Sequence, residues 1–196
     1  MNILIINASP RKEGNSWELT AAAAAGAERS GNPYETVYLN DLHLSVCRMC
    51  GDGWGLCRTK HRCVLGKDGL DALQDKMAAA DAFVFVTPVY WGECSEAMKA
   101  FMDRIRRCEG SRRFTGNPQD FEAGLLFGKP CVMVACAGGS GNGTLSSLDQ
   151  MNRFVSHCGG LFFDHIDVNR WSVSYKKQTV KEAVFTMATQ GGGGRA

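Results

Sequence analysis

Three short stretches hold most of the residues with chemistry to offer, and each follows an apolar run. Residues 8–16 (ASPRKEGNS) bring Ser9, Arg11, Lys12, Gly14, Asn15 and Ser16 directly ahead of an alanine-rich segment. Hydroxyls, an amide, cations and the free backbone N–H groups of a helix start can converge there on one anion, and a terminal phosphate suits that set. The same residues also suit a plain turn, with Asn15 and Glu18 as a capping pair. Neither the Walker spacing nor GxGxxG is present, which argues against a P-loop nucleotidase and a dinucleotide-binding Rossmann domain. The second stretch, Pro88, Val89, Tyr90, Trp91 and Gly92, puts two large rings at a strand end. They can wall a flat heterocycle or serve as core or subunit contacts. The third, AGGSGNG at 137–143, contains Ala137, Gly138, Gly139 and Gly143. It can let backbone N–H groups approach a ligand closely, or form a flexible turn.

A fourth set of residues is of another kind. Cys47, Cys50, Cys57 and Cys63 share one long connection and open with a Cys-x-x-Cys pair. In number and type they match the ligands of a [4Fe–4S] cluster or of tetrahedral zinc. Arg48, Arg58, Lys60, His61 and Arg62 surround them and would stabilise thiolates, which equally suits a reactive redox cysteine or reduced thiols without metal. Downstream, Arg104, Arg106, Arg107, Arg112 and Arg113 form a basic cluster that Asp103 and Glu109 can pair with locally, as on a solvated helix face.

The elements that must position these residues alternate. Residues 2–7, 82–87 and 130–136 are apolar runs without alternation, the pattern of strands buried on both faces of a parallel sheet. Residues 35–39 and 161–168 complete five strands. Helices are expected at 17–29, stopped by Gly31 and Pro33, at 70–80, at 96–105 behind Ser95 as N-cap, at 145–158 and at 175–189. Strands alternating with helices imply an α/β fold, a doubly wound five-stranded parallel sheet of flavodoxin-like order 2-1-3-4-5 with helices on both faces. In such a sheet ligands bind beyond the carboxyl ends of the strands, where the three loops fall. The connections 40–69 and 108–129 exceed ordinary loop length and read as functional insertions.

With 196 residues, 44% hydrophobic and 21% charged, the chain suits one compact domain over 1–190, with 191–196 (GGGGRA) as a flexible tail. No apolar run approaches the roughly 18 residues that span a bilayer, and no basic leader precedes MNILIINASP, so neither secretion nor membrane insertion is expected. Nine cysteines, an odd number in a chain this long, fit reduced thiols and a cytoplasmic location. The net charge of +2 comes from mixed charges and gives no general case for nucleic-acid binding.

In this order, NASPRKEGNS, ADAFVFVTPVYWGECSEAMKAFMDR and CAGGSGNG make nearly the whole chain resemble the NADPH-dependent FMN reductase family of the flavodoxin-like superfamily, together with its iron-sulfur flavoprotein branch. The resemblance implies that Ser9, Arg11, Asn15 and Ser16, in the loop that also carries Lys12 and Gly14, hold the FMN phosphate. It places Pro88, Val89, Tyr90, Trp91 and Gly92 against the isoalloxazine and ribityl chain, and has Gly138, Gly139 and Gly143, after Ala137, close the site. It further implies hydride transfer from NADH or NADPH and delivery to a quinone, flavin, nitroaromatic or metal acceptor. The flavin then carries the chemistry and no catalytic side chain is expected. A homodimer or homotetramer is implied as well, and the basic cluster gains two further readings, a nicotinamide 2'-phosphate site and a dimer contact. The alternatives are an iron-sulfur flavoprotein and a flavodoxin-like electron carrier. The iron-sulfur branch has a shorter gap between its second and third cysteines than residues 51–56 provide. Electron-carrying flavodoxins tend to be acidic and lack the cysteine-bearing connection, which favours the reductase.

Overall fold

The computed structural model describes residues 1–53, 55–66 and 68–191, so the expected tail falls, from residue 192 on, outside the described residues. Strand β1 (Ile3–Asn7) is buried at every position and pairs in parallel with β2 (Tyr34–Tyr38) and β3 (Ala82–Tyr90). Strands β5 (Pro130–Cys136) and β6 (Leu161–Val168) continue the parallel sheet, in the order β2-β1-β3-β5-β6. This is the expected five-strand order with one addition, the two-residue β4 (Glu93–Cys94), which pairs antiparallel with the end of β3. Residues 88–94 are therefore a hairpin rather than a loop. Its turn, Trp91 and Gly92, has positive φ at both positions (49° and 83°), the requirement of the tight turn that matches strand twist.

Two layers cover the sheet because its central strands are apolar on both faces. On one side α1 (Asn15–Arg29) and α7 (Val173–Gln190) pack Leu19, Val180 and Val184 against Ile3, Ile5, Val84 and Val134. The two helices approach so closely that a Cβ at Gly26 would lie 2.4 Å from the Lys181 carbonyl oxygen. On the other side α3 (Leu70–Ala79), α4 (Glu96–Gly110) and α6 (Thr144–His157) bury Leu73, Phe101 and Phe154 against Leu4, Ile6 and Phe85. Phe85, Phe101 and Phe154 meet edge-on or tilted at centroid distances of 5.6–6.1 Å, the arrangement aromatic rings prefer.

Both long connections carry structure of their own. The first contains a 3-10 turn at Leu39–Leu42 and the one-turn helix α2 (Cys57–Lys60); the second contains a 3-10 turn at Ser111–Phe114 and α5 (Pro118–Glu122). Among the described residues no helix is long and apolar enough to cross a membrane.

Candidate functional site

The three loops meet at the carboxyl edge of the sheet, held by backbone contacts and by short polar side chains. Asn7, the polar end of an otherwise apolar strand and fully buried, organises the first loop. Its Oδ1 accepts from the Ser9 N–H (2.6 Å), while its Nδ2 donates to Thr20 Oγ1 (2.7 Å) and the Ser16 carbonyl (3.3 Å). The Arg11 N–H donates to Ser9 Oγ (3.2 Å), turning the chain towards Gly14. Gly14 has φ 84° and no side chain caps α1, so its first turn keeps N–H groups for an outside acceptor. A Cβ built on Gly14 would stand 3.9 Å from an Arg11 guanidinium nitrogen, which places that cation over the uncapped helix start. Ser9 and Ser16 are buried, and Asn15 lies beside the Cys136 thiol, which burial pushes up to about 11 while Asn15 opposes the shift.

Lys12 goes elsewhere. Its ammonium pairs with Asp41 at 2.8 Å and sits over the Tyr38 ring, so of the two expected cations Arg11 alone lies beside Gly14. The paired carboxylate on the neighbouring 3-10 turn offers Lys12 a fixed partner.

Pro88 is buried within β3, Val89 is half-buried, and Tyr90 and Trp91 reach the surface, Trp91 being fully exposed. The hairpin is tied to the first loop through Ser95: its Oγ donates to the Ala8 carbonyl (2.9 Å), its N–H donates to Thr87 Oγ1 (3.2 Å), and its Oγ caps α4 by accepting from the Met98 N–H. Asn40 Nδ2 adds a second bond to the Ala8 carbonyl (3.2 Å). The third loop closes against the hairpin, with a Cβ at Gly143 falling 2.4 Å from Gly92 Cα and Ser146 Oγ donating to the Gly92 carbonyl. Gly138 and Gly139 are exposed, and Cβ atoms built on them would meet nothing within 4 Å, so that side of the site is open. Ala137 is buried and donates its N–H to the Val168 carbonyl (2.8 Å); Arg170 N–H donates to the Gly139 carbonyl (3.2 Å).

Sequence reasoning missed Asn7, Asn169 and Arg170, and treated Ser95 as a cap alone. The signal available for Asn7 was a polar residue ending a strand otherwise apolar. Asn169, with its side chain against Gly141, had none.

The four cysteines behave differently. Cys47, Cys50, Cys57 and Cys63 line one small cavity with Arg104 and Arg107. Burial, and then the neighbouring Cys63, Cys47 and Cys50, raise the Cys57 thiol, while Arg107 opposes them. Arg104, the largest fully buried side chain, donates Nε–H to Cys63 Sγ (3.3 Å), contacts the Ser45 carbonyl and forms an ion pair with Asp68. Burial works against the Asp68 carboxylate, but hydrogen bonds from Arg104, Ser45 and the Leu70 N–H outweigh it and hold the group at about 2. Among the described residues no three cysteine, histidine or carboxylate side chains are placed to hold a metal ion. The cysteines share a cavity, therefore, without presenting a ligand set.

The fold and the three loops define a flavodoxin-like α/β protein, with an uncapped helix start and the Arg11 guanidinium on the same sheet edge as an aromatic hairpin. The chain matches the model of the NADPH-dependent FMN reductase family over residues 1–191 and belongs to that family. It is 35% identical over 104 residues to an iron-sulfur flavoprotein of Methanosarcina thermophila, covering 53% of this chain and 52% of that protein. The chain thus spans about half the length of the iron-sulfur flavoproteins it matches at this level. It is 26% identical over 210 residues to an FMN-dependent NADH:quinone oxidoreductase of Bacillus subtilis, covering 97% of each. Among solved structures, the NAD(P)H:quinone oxidoreductase of Methanothermobacter marburgensis superposes with TM-score 0.67 at 16% identity, covering 95% of this chain and 96% of that one, a likeness of fold.

Proposed function

We propose that this chain is an FMN-dependent oxidoreductase that takes hydride from NADH or NADPH and reduces a second acceptor of the quinone, flavin, nitroaromatic or metal-ion type. The observation that carries it is the uncapped start of α1, with Arg11 beside Gly14, on the same sheet edge as the Trp91–Gly92 turn and the open Gly138–Gly139 loop. The residues fit the group: an anion cradle, a flat apolar wall and glycines with empty space above them. In this reading Arg11, Ser9, Ser16 and the N–H groups of the first turn of α1 bind the phosphate, and Gly14 lets the chain turn into that helix. Asn15 holds the cradle to the end of β5. Tyr90 and Trp91 wall the ring, and the Trp91 and Gly92 N–H groups offer it donors. Bound FMN supplies the hydride-accepting centre, and the protein positions it and tunes its potential.

The test is anaerobic. Protein purified with its flavin should release FMN on denaturation, and NADH or NADPH should bleach the yellow colour. Protein that is colourless and takes up no added FMN would end the reading. Reduction only by a low-potential protein donor would turn it into an electron carrier.

The exposed Tyr90 and Trp91 and the 108–129 connection also support self-association as a homodimer or homotetramer, read out by sedimentation of the flavin-loaded protein. A second reading, a [4Fe–4S] cluster or zinc on Cys47, Cys50, Cys57 and Cys63, is supported by their shared cavity and by the similarity to iron-sulfur flavoproteins over about half of their length. The described residues do not form a ligand set, so no electron-transfer step is assigned to this loop. Iron, sulfide and zinc measured per chain after anaerobic purification decide it; about four irons and four sulfides, lost in Cys50→Ser, establish the cluster.

A further inference from the structure

Asn142 is the one asparagine in the chain that precedes a glycine, and it stands in the third loop. Its side chain is exposed and, among the described residues, makes no hydrogen bond to the protein; the Gly143 N–H makes none either. Asn7, Asn40 and Asn169, by contrast, spend their amides on hydrogen bonds. Asn32 and Asn117 precede prolines, whose nitrogen carries no hydrogen.

An asparagine amide and the backbone nitrogen that follows it are spaced to close a cyclic imide. In most sequences the next side chain shields that nitrogen, or a hydrogen bond holds its proton. Neither restraint applies at Gly143. Its nitrogen also belongs to the N-cap of α6, where φ is 86°, no side chain caps the helix and the first turn carries no acid. The partial positive charge of that helix start is therefore left to stabilise a nitrogen anion beside it.

We infer that Asn142–Gly143 is a self-modification site, at which the chain converts an amide into a carboxylate and so detaches the third loop from the hairpin. The Gly143 nitrogen, its proton lost to hydroxide, attacks Asn142 Cγ. The new N–C bond closes a succinimide, the Cγ–Nδ2 bond breaks, and ammonia leaves with a proton from water. Water then opens the ring. Hydrolysis at Cγ gives aspartate, and hydrolysis at the main-chain carbonyl gives isoaspartate, with no change of oxidation state. In isoaspartate the main chain runs through the former side chain and is longer by a methylene directly ahead of Gly143. The contact there has no slack to absorb it: a Cβ on Gly143 would already lie 2.4 Å from Gly92 Cα, and Ser146 Oγ holds the Gly92 carbonyl. The new carboxylate meanwhile stands at the start of α6, where negative charge is favoured. The inference does not rest on the flavin reading, since it needs only water and the chain itself.

The experiment incubates the purified full chain at mildly alkaline pH and samples it over time. Peptide mapping by mass spectrometry with electron-driven fragmentation separates the two products, and methyl transfer from S-adenosylmethionine by an isoaspartyl methyltransferase measures isoaspartate. Both products should accumulate at position 142, about tenfold or more faster than at Asn152, which an arginine follows. The rate should rise with pH, because the attacking nitrogen must lose its proton. Hydrogen exchange should show residues 90–94 losing protection in step with isoaspartate, whereas Asn142→Ser, with no amide to cyclise, keeps its protection over the same time. Aspartate without isoaspartate would mean direct hydrolysis and overturn the proposal, since Gly143 would not be the nucleophile. Conversion no faster than at Asn152 overturns it as well, as does isoaspartate formation that leaves hairpin exchange the same as in Asn142→Ser.

Discussion

Two connections leave the carboxyl edge of the same sheet and are fixed in opposite ways. The three loops of the candidate site are short and held by backbone and short polar side chains: Ala8 and Ala137 donate to the neighbouring strands, Gly92 and Gly143 touch main chain to main chain, and Asn7 and Ser95 bond the turns to them. The cysteine-bearing connection is long and held by side chains, with Arg104 gathering Ser45, Cys63 and Asp68 onto α4. Backbone anchoring tolerates many side chains but little added volume. Side-chain anchoring reverses that, and depends on one buried charge staying paired.

The largest effect that would test this contrast is loss of that pair. Arg104→Ala should destabilise the protein by about 3–5 kcal/mol, because it leaves Asp68 without its partner, and denaturant unfolding would show it. The pH dependence has a definite sign. Asp68 sits below its ordinary value of 3.8, at about 2, so its contribution is present above about pH 4 and lost as pH falls through that interval. Stability of Arg104→Ala should show a weaker acid-side decline, since the Ser45 and Leu70 bonds to Asp68 remain; an identical decline would remove the pair from the account.

Gly143→Ala probes the other anchor. The new methyl would meet Gly92 main chain, at a positive φ of 86°, and should cost about 2–4 kcal/mol through overpacking and left-handed strain. Thermal unfolding is the measurement, and a change within the noise would mean that the hairpin moves freely. Arg11→Ala should weaken FMN binding by about 1.5–3 kcal/mol with little effect on folding, by fluorescence titration of the apoprotein. The smallest effect belongs to Lys12→Ala. Its exposed pair with Asp41 is worth roughly 0.2–1 kcal/mol, and FMN affinity should stay within a factor of about two. An Arg11-sized loss would return Lys12 to the cradle.

What could be read from the sequence followed the same division. Unbroken apolar runs such as residues 3–6 identify central strands, and Ser95 signals its helix start, because these depend on neighbours along the chain. The uncapped helix start after the first loop was legible for the same reason, whereas the Lys12–Asp41 pair joins two elements and was not. The hairpin was not: Trp91 at positive φ is no preference of tryptophan, and it is imposed by pairing Val89 with Cys94. Arg104 stands in a run of arginines beside Asp103, yet its partner is Asp68, thirty-six residues away. Glu109 is similar: burial pushes its carboxyl up, and the Leu125 N–H and Arg112 oppose that from the following connection. Long-range pairings of this kind leave no local trace.

Strand β6 carries a further consequence. It ends the sheet with Leu161 and Phe162 about half exposed, and among the described residues no strand pairs with its outer edge, where side chains alone take the Asp167 carbonyl (Lys176) and the His165 N–H (Asp164). Such a margin is a template for another chain, and in a crowded or partly unfolded population it would seed aggregation. Asp164, His165 and Asp167 interrupt the strand with charge and polarity where a continuous apolar ribbon would otherwise run. Replacing those residues with valine would leave the contacts among the three site loops untouched while shortening the shelf life of the protein in solution.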